Sequence, residues 1–166
     1  MINLKREIKS LNVVFAAVVA ALLLLIDFAV WSAVGSPIYI LRFISAYVKV
    51  FPLWLFGLLD FLSFSLLGFA LGAVLGAGNP SCDVYKYRGA FFFVIGLVLA
   101  YLHHVTFFCA GRFFISLIIV IIQCFFGVLA ALNFSKVSGV ATVVFVLGGI
   151  WWIYLLLVNI FSFFMM

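Results

Sequence analysis

Four ionisable side chains, Asp27, Asp60, His103 and His104, lie inside long apolar stretches. Such groups are costly in hydrocarbon and mark functional sites by default. Carboxylate and imidazole together can hold a proton between them or ligate a cation. Their depth follows from the ends of the stretches. Asp27 is seven residues before Val34, Asp60 eight after Pro52, and His103 seven before Ala110. At about 1.5 Å per residue, each lies roughly 10–12 Å below the same membrane face. Asn159, seven residues before Met166, reaches that level too. One layer of polar groups is thus expected, either as interhelical glue or as the polar part of an aromatic-lined cavity. His103 and His104 point about 100° apart on a helix and cannot both face one ligand. A metal site would need further ligands, with Asp60 the plausible donor, and an Asp60–His103 pair would serve as a proton relay.

The elements that carry these groups are membrane spans. Of 166 residues, 70% are hydrophobic and 8% charged, and mean hydropathy is +1.49. A soluble domain of this size has no way to hide that much apolar surface, whereas a bilayer requires it. The expectation is an all-α integral membrane protein: a five-helix transmembrane bundle forming one domain over 1–166, with spans near 12–34, 52–76, 89–110, 113–133 and 140–166. The N-terminal stretch resembles a secretory signal, but its apolar run is long for a signal core and four more spans follow.

Between the first two spans, residues 38–50 are too short to cross a membrane. Arg42, Ser45 and Lys49 share one helical face there, as in a short amphipathic helix lying along the interface. Gly68, Gly72 and Gly76 repeat every four residues and form a ridge that lets another helix approach closely. Residues 77–88 read as a polar loop. Six cations on the N-terminal side (Lys5, Arg6, Lys9, Lys86, Arg88, Lys136) against three on the other (Arg42, Lys49, Arg112) favour a cytoplasmic N-terminus.

Several functions are excluded or unsupported. The cations are scattered, which argues against nucleic-acid binding. Cys82, Cys109 and Cys124 form no CxxC. No GxSxG, HExxH or P-loop motif is present, so nothing points to an enzyme. Most of the 22 Phe serve lipid contact or helix packing. Trp54, near a span end, suits an interfacial anchor or a pocket wall. Trp151 and Trp152 sit mid-span, where anchoring does not account for them.

From about residue 50 onward the chain resembles the TspO/MBR family, the tryptophan-rich sensory proteins. The family's PPxWxF motif aligns with Phe51-Pro52-Leu53-Trp54-Leu55-Phe56 and continues to Phe64 and Gly68. Its third-helix LNxxWxxxFF falls on Leu99-Ala100 through His103 to Phe107-Phe108. Its final motifs fall on Phe134, Ser138, Ala141, Trp151, Tyr154 and Val158-Asn159. There are departures. Asp60 stands where the family has a second-helix Trp, Ala100 replaces an Asn and His103 replaces a Trp. Phe51 replaces a Pro, Leu147-Gly148 stand for its PY, and KPxW is missing at 46–49.

The resemblance implies a five-helix fold and a non-enzymatic protein that binds a hydrophobic small molecule, such as a tetrapyrrole or a sterol. Expected residues at the ligand are Trp54, Phe56, Asp60, Ala100, His103, Phe107, Trp151, Tyr154 and Asn159. No resident cofactor or metal is expected, although porphyrin or haem is a possible ligand, haem through axial contact with His103. A homodimer in a bacterial cytoplasmic membrane, serving as sensor or transport accessory, is implied as well. The competing readings are a small proton- or cation-coupled transporter subunit using Asp60 and His103, and a structural protein whose polar layer only packs helices.

Overall fold

The computed structural model describes residues 12–34, 51–78 and 80–165. Five helices account for nearly all of them: α1 (Val13–Val34), α2 (Leu53–Leu75), α3 (Asp83–His104), α4 (Phe113–Phe134) and α5 (Gly139–Phe164). Each is long and apolar enough to cross a bilayer. Large apolar side chains cover their outer faces, such as Leu25 and Phe28 on α1, Phe125 and Leu132 on α4, and Ile150 and Ile153 on α5. The protein is therefore a multi-pass integral membrane protein. The interfacial helix expected at 38–50 falls outside the described residues.

The helices pack α1 on α2, α2 on α5, α5 on α4 and α4 on α3, with lighter contacts from α3 to α2 and α1. Lipid offers no hydrophobic drive between helices, so small residues and hydrogen bonds decide the crossings. A Cβ on Gly68 would sit 2.8 Å from the Ala20 Cα, and one on Gly72 would sit 2.6 Å from the Ala16 Cα. The glycine ridge is thus the α1–α2 contact. On the other side of α2, a Cβ on Gly148 would meet the Ser63 carbonyl oxygen at 3.1 Å, and Ser63 Oγ donates to the Gly148 carbonyl at 2.8 Å.

The third span starts earlier than its hydropathy suggests. Asp83 to Arg88, expected in a loop, forms the first turns of α3 after a short 3-10 turn, Pro80–Cys82. Two local bonds make this possible. Lys86 Nζ lies 2.9 Å from Asp83 Oδ1 one turn back and donates to the Ala77 carbonyl at 2.6 Å, just beyond the end of α2. At its other end α3 widens into a π turn, Val105–Cys109. Ala110 N donates to the Val105 carbonyl before Gly111, at φ +57°, reverses the chain. A left-handed backbone is what glycine tolerates best. Ser138 starts α5 as an N-cap, its side chain accepting from Ala141 N at 3.2 Å.

Candidate functional site

The polar layer divides into two networks, and the rotation of α3 decides which group joins which. Lys86, Gly89, Phe93, Gly96, Ala100 and His103 are buried on α3. Their alternating three- and four-residue spacing is that of one packed stripe. Gly89 abuts Phe134 of α4, and Gly96 abuts the Trp152 ring. Trp152 is held in a slot between Gly96 and Gly127, with its indole nitrogen unpartnered among the described residues. This stripe faces α4 and α5. His103, one heptad beyond Gly96, follows it, and His104 turns toward α1 and α2.

Asp60 is the hub of the first network and is fully buried. Trp31 Nε1 on α1 donates to Asp60 Oδ2 at 2.6 Å. Trp151 Nε1 on α5 donates to Asp60 Oδ1 at 2.5 Å. His104 Nε2 on α3 lies 3.1 Å from Asp60 Oδ2. One carboxylate therefore ties four helices together. His104 Nδ1 is 2.8 Å from the Ala100 carbonyl oxygen, which can only accept, so Nδ1 carries a proton. Asp27 completes the group. It is fully buried, and one carboxyl oxygen comes within 4.8 Å of the nearest ligand atoms of Asp60 and His104. Neither of its oxygens has a hydrogen-bond partner among the described residues.

The second network is built on Asn159. Its Nδ2 lies 2.8 Å from His103 Nε2 and its Oδ1 accepts from Ser116 Oγ at 2.7 Å. Asn159 also donates to the Leu155 carbonyl. His103 stacks on Phe107, with centroids 5.5 Å apart and planes 20° apart.

The Asp60–His103 pair expected from sequence is accordingly not formed: the imidazole that meets Asp60 is His104. The other expected residues distribute as follows. Phe56 is fully buried and meets Trp31 and Trp151 edge to face. Ala100 lies on the α3 stripe, and its carbonyl fixes His104. Trp151 and Tyr154 stack at 4.8 Å with 24° between planes. Trp54 is 71% exposed and points away from the bundle. The contacts of Trp31 and His104 with Asp60 were not foreseen from the sequence. One signal was available: Trp31 follows Asp27 by one helical turn.

Outside this centre, α2 and α5 border a groove of about 350 Å³ lined by Phe51, Leu59, Leu62, Ser63, Leu66, Leu147, Gly148, Ile150, Trp151 and Tyr154. Phe51 lies over Tyr154 at 5.1 Å, so Phe51, Tyr154 and Trp151 form a continuous aromatic stack. Trp151 belongs to both places: its ring lines the groove while its N–H reaches Asp60. A smaller groove of about 170 Å³ runs between α4 and α5 beside Trp152 and Gly127.

A comparison with curated proteins finds no match, and none is found among solved structures. The profile of the TspO/MBR family, in contrast, matches residues 48–165, which include α2 to α5 and every residue of both polar networks except Asp27 and Trp31. On that match, over most of its length, the chain belongs to the TspO/MBR family.

Proposed function

We propose that the protein binds a flat, hydrophobic small molecule of the tetrapyrrole or sterol-like class against the Trp151–Tyr154 stack, as a sensor or transport accessory. Family membership supports a membrane ligand-binding or sensor role in general, and a binder is favoured over an enzyme. The observation that carries the finer reading is the α2–α5 groove. Its volume of about 350 Å³ falls at the lower end of small-molecule sites, which are typically about 300–1,000 Å³ with apolar and aromatic walls. Its aromatic stack offers a planar ligand an offset-stacking partner. The reading takes the protein as a homodimer in a bacterial cytoplasmic membrane, on the strength of the family resemblance.

The test is a titration of the protein in nanodiscs with protoporphyrin IX, beside Tyr154→Leu. Saturable binding weakened about fivefold by Tyr154→Leu, as expected for losing one stacking partner worth about 1 kcal/mol, supports the reading. Absence of saturable binding, or equal affinity of both proteins, argues against it. The alternative, a proton- or cation-coupled transporter subunit using Asp60 and His103, has less support, because those two side chains hydrogen-bond in different networks.

A further inference from the structure

The buried group Asp27, Asp60 and His104 has a chemistry that the groove does not use. We infer that these three side chains form a site for one divalent first-row transition-metal ion, such as Zn2+, held between α1, α2 and α3.

Four observations carry it. The ligand atoms, one from each residue, lie within 4.8 Å of one another. The 3.1 Å edge between His104 Nε2 and Asp60 Oδ2 is close to the roughly 3.3 Å separation of two ligands on a tetrahedral ion with bonds of about 2.0 Å. The His104 ring is already set as a ligand: Nδ1 is engaged by the Ala100 carbonyl, which leaves Nε2 for the metal, the arrangement that outer-sphere carbonyls impose on metal-bound histidines. Asp60 is likewise fixed by two indole donors. Finally, Asp27 is fully buried with two oxygens that no donor among the described residues reaches. An ionised carboxyl so placed calls for a cation.

Charge and ligand type narrow the ion. Two carboxylates and a neutral imidazole balance a dication, so the filled site is neutral, as burial in a membrane favours. An imidazole ligand selects zinc, iron or cobalt over magnesium, which prefers oxygen ligands in an octahedron. His103 does not belong to this group of ligand atoms, and its Nε2 is engaged by Asn159.

The experiment uses the full chain without an affinity tag, stripped with chelator in nanodiscs, and titrated with Co2+ by visible absorption and with Zn2+ by calorimetry. The expected result is one ion per chain, with intense d–d bands of a low-symmetry nitrogen–oxygen site and displacement of Co2+ by Zn2+. Asp27→Asn should weaken binding by about 100-fold or more, since losing even an outer-sphere partner costs about 10–100-fold. The metal-free Asn variant should melt no lower than the parent, because no donor among the described residues bonds to Asp27. His103→Gln should bind within about threefold of the parent, a difference below 1 kcal/mol. The inference is overturned by absence of a stoichiometric ion, by undiminished binding in Asp27→Asn, or by a thiolate-to-cobalt charge-transfer band that moves the ion to a cysteine. Protoporphyrin binding at the α2–α5 groove is read separately and does not depend on this outcome.

Discussion

The indole N–H of Trp151 donates to Asp60 across 2.5 Å, while the ring of the same Trp151 lines the groove between α2 and α5. One side chain thus joins the buried polar centre to the surface proposed for ligand binding. Ser63 bonding to the Gly148 carbonyl, three residues away on each helix, holds the same register.

Asp60 and Asp27 should respond to neutralisation in opposite ways. Asp60→Asn removes half of the acceptors that Trp31, Trp151 and His104 share, and turns an amide donor toward a donor. Breaking a buried charged network typically costs about 3–5 kcal/mol. Asp27→Asn replaces a buried carboxyl that no donor among the described residues reaches, and is expected to leave stability unchanged or raised. Thermal unfolding of the two variants in detergent, metal-free, checks this ordering.

The α1–α2 contact depends on absent side chains. Gly72→Val would place a Cβ at 2.6 Å from the Ala16 backbone, which forces the helices apart. Overpacking of this kind costs about 1–3 kcal/mol. Gly57→Ala and Gly149→Ala meet nothing within 4 Å and should be neutral, or stabilising by about 0.5–1 kcal/mol through helix propensity. Melting temperatures of the three variants separate contact from composition.

In the second network, Asn159→Leu strands His103 Nε2 and the Ser116 hydroxyl. A buried polar group left unpaired costs about 1–3 kcal/mol. Adding His103→Phe to Asn159→Leu should recover part of that loss, because an apolar pair has nothing to satisfy. A double-mutant cycle on unfolding midpoints gives the coupling, and additive losses would show that the two residues act independently.

Trp54 provides a control among the residues singled out by the family motif. At 71% exposure it faces away from the bundle, so Trp54→Ala should leave protoporphyrin affinity within about twofold, well under 1 kcal/mol. Equilibrium binding beside the parent protein measures it.

The five helices were legible because hydropathy alone marks a span, and the Gly68–Gly72–Gly76 ridge was legible because close approach requires small residues at a four-residue period. The pairing of Asp60 was harder. His103 and His104 have the same composition and nearly the same depth, so depth places both in the layer and only rotation about the α3 axis separates them. That rotation is fixed by Gly89 against Phe134 and Gly96 against Trp152, contacts between helices that spacing in one segment does not identify. The early start of α3 was hidden for a different reason. Lys86 and Asp83 look like loop residues until their mutual bond and the Ala77 carbonyl are seen to satisfy them.

The most direct test of the ligand-binding account is to fill the groove. Leu147 lines it and is 53% exposed, so Leu147→Trp adds bulk there without displacing a core side chain. Protoporphyrin IX binding is followed by the shift of its Soret absorbance in nanodiscs. The account predicts saturable binding by the parent chain and at least about tenfold weaker binding by Leu147→Trp, a loss of about 1.4 kcal/mol, at an unchanged melting temperature. Equal affinity of the two proteins, or absence of saturable binding to the parent, would contradict it.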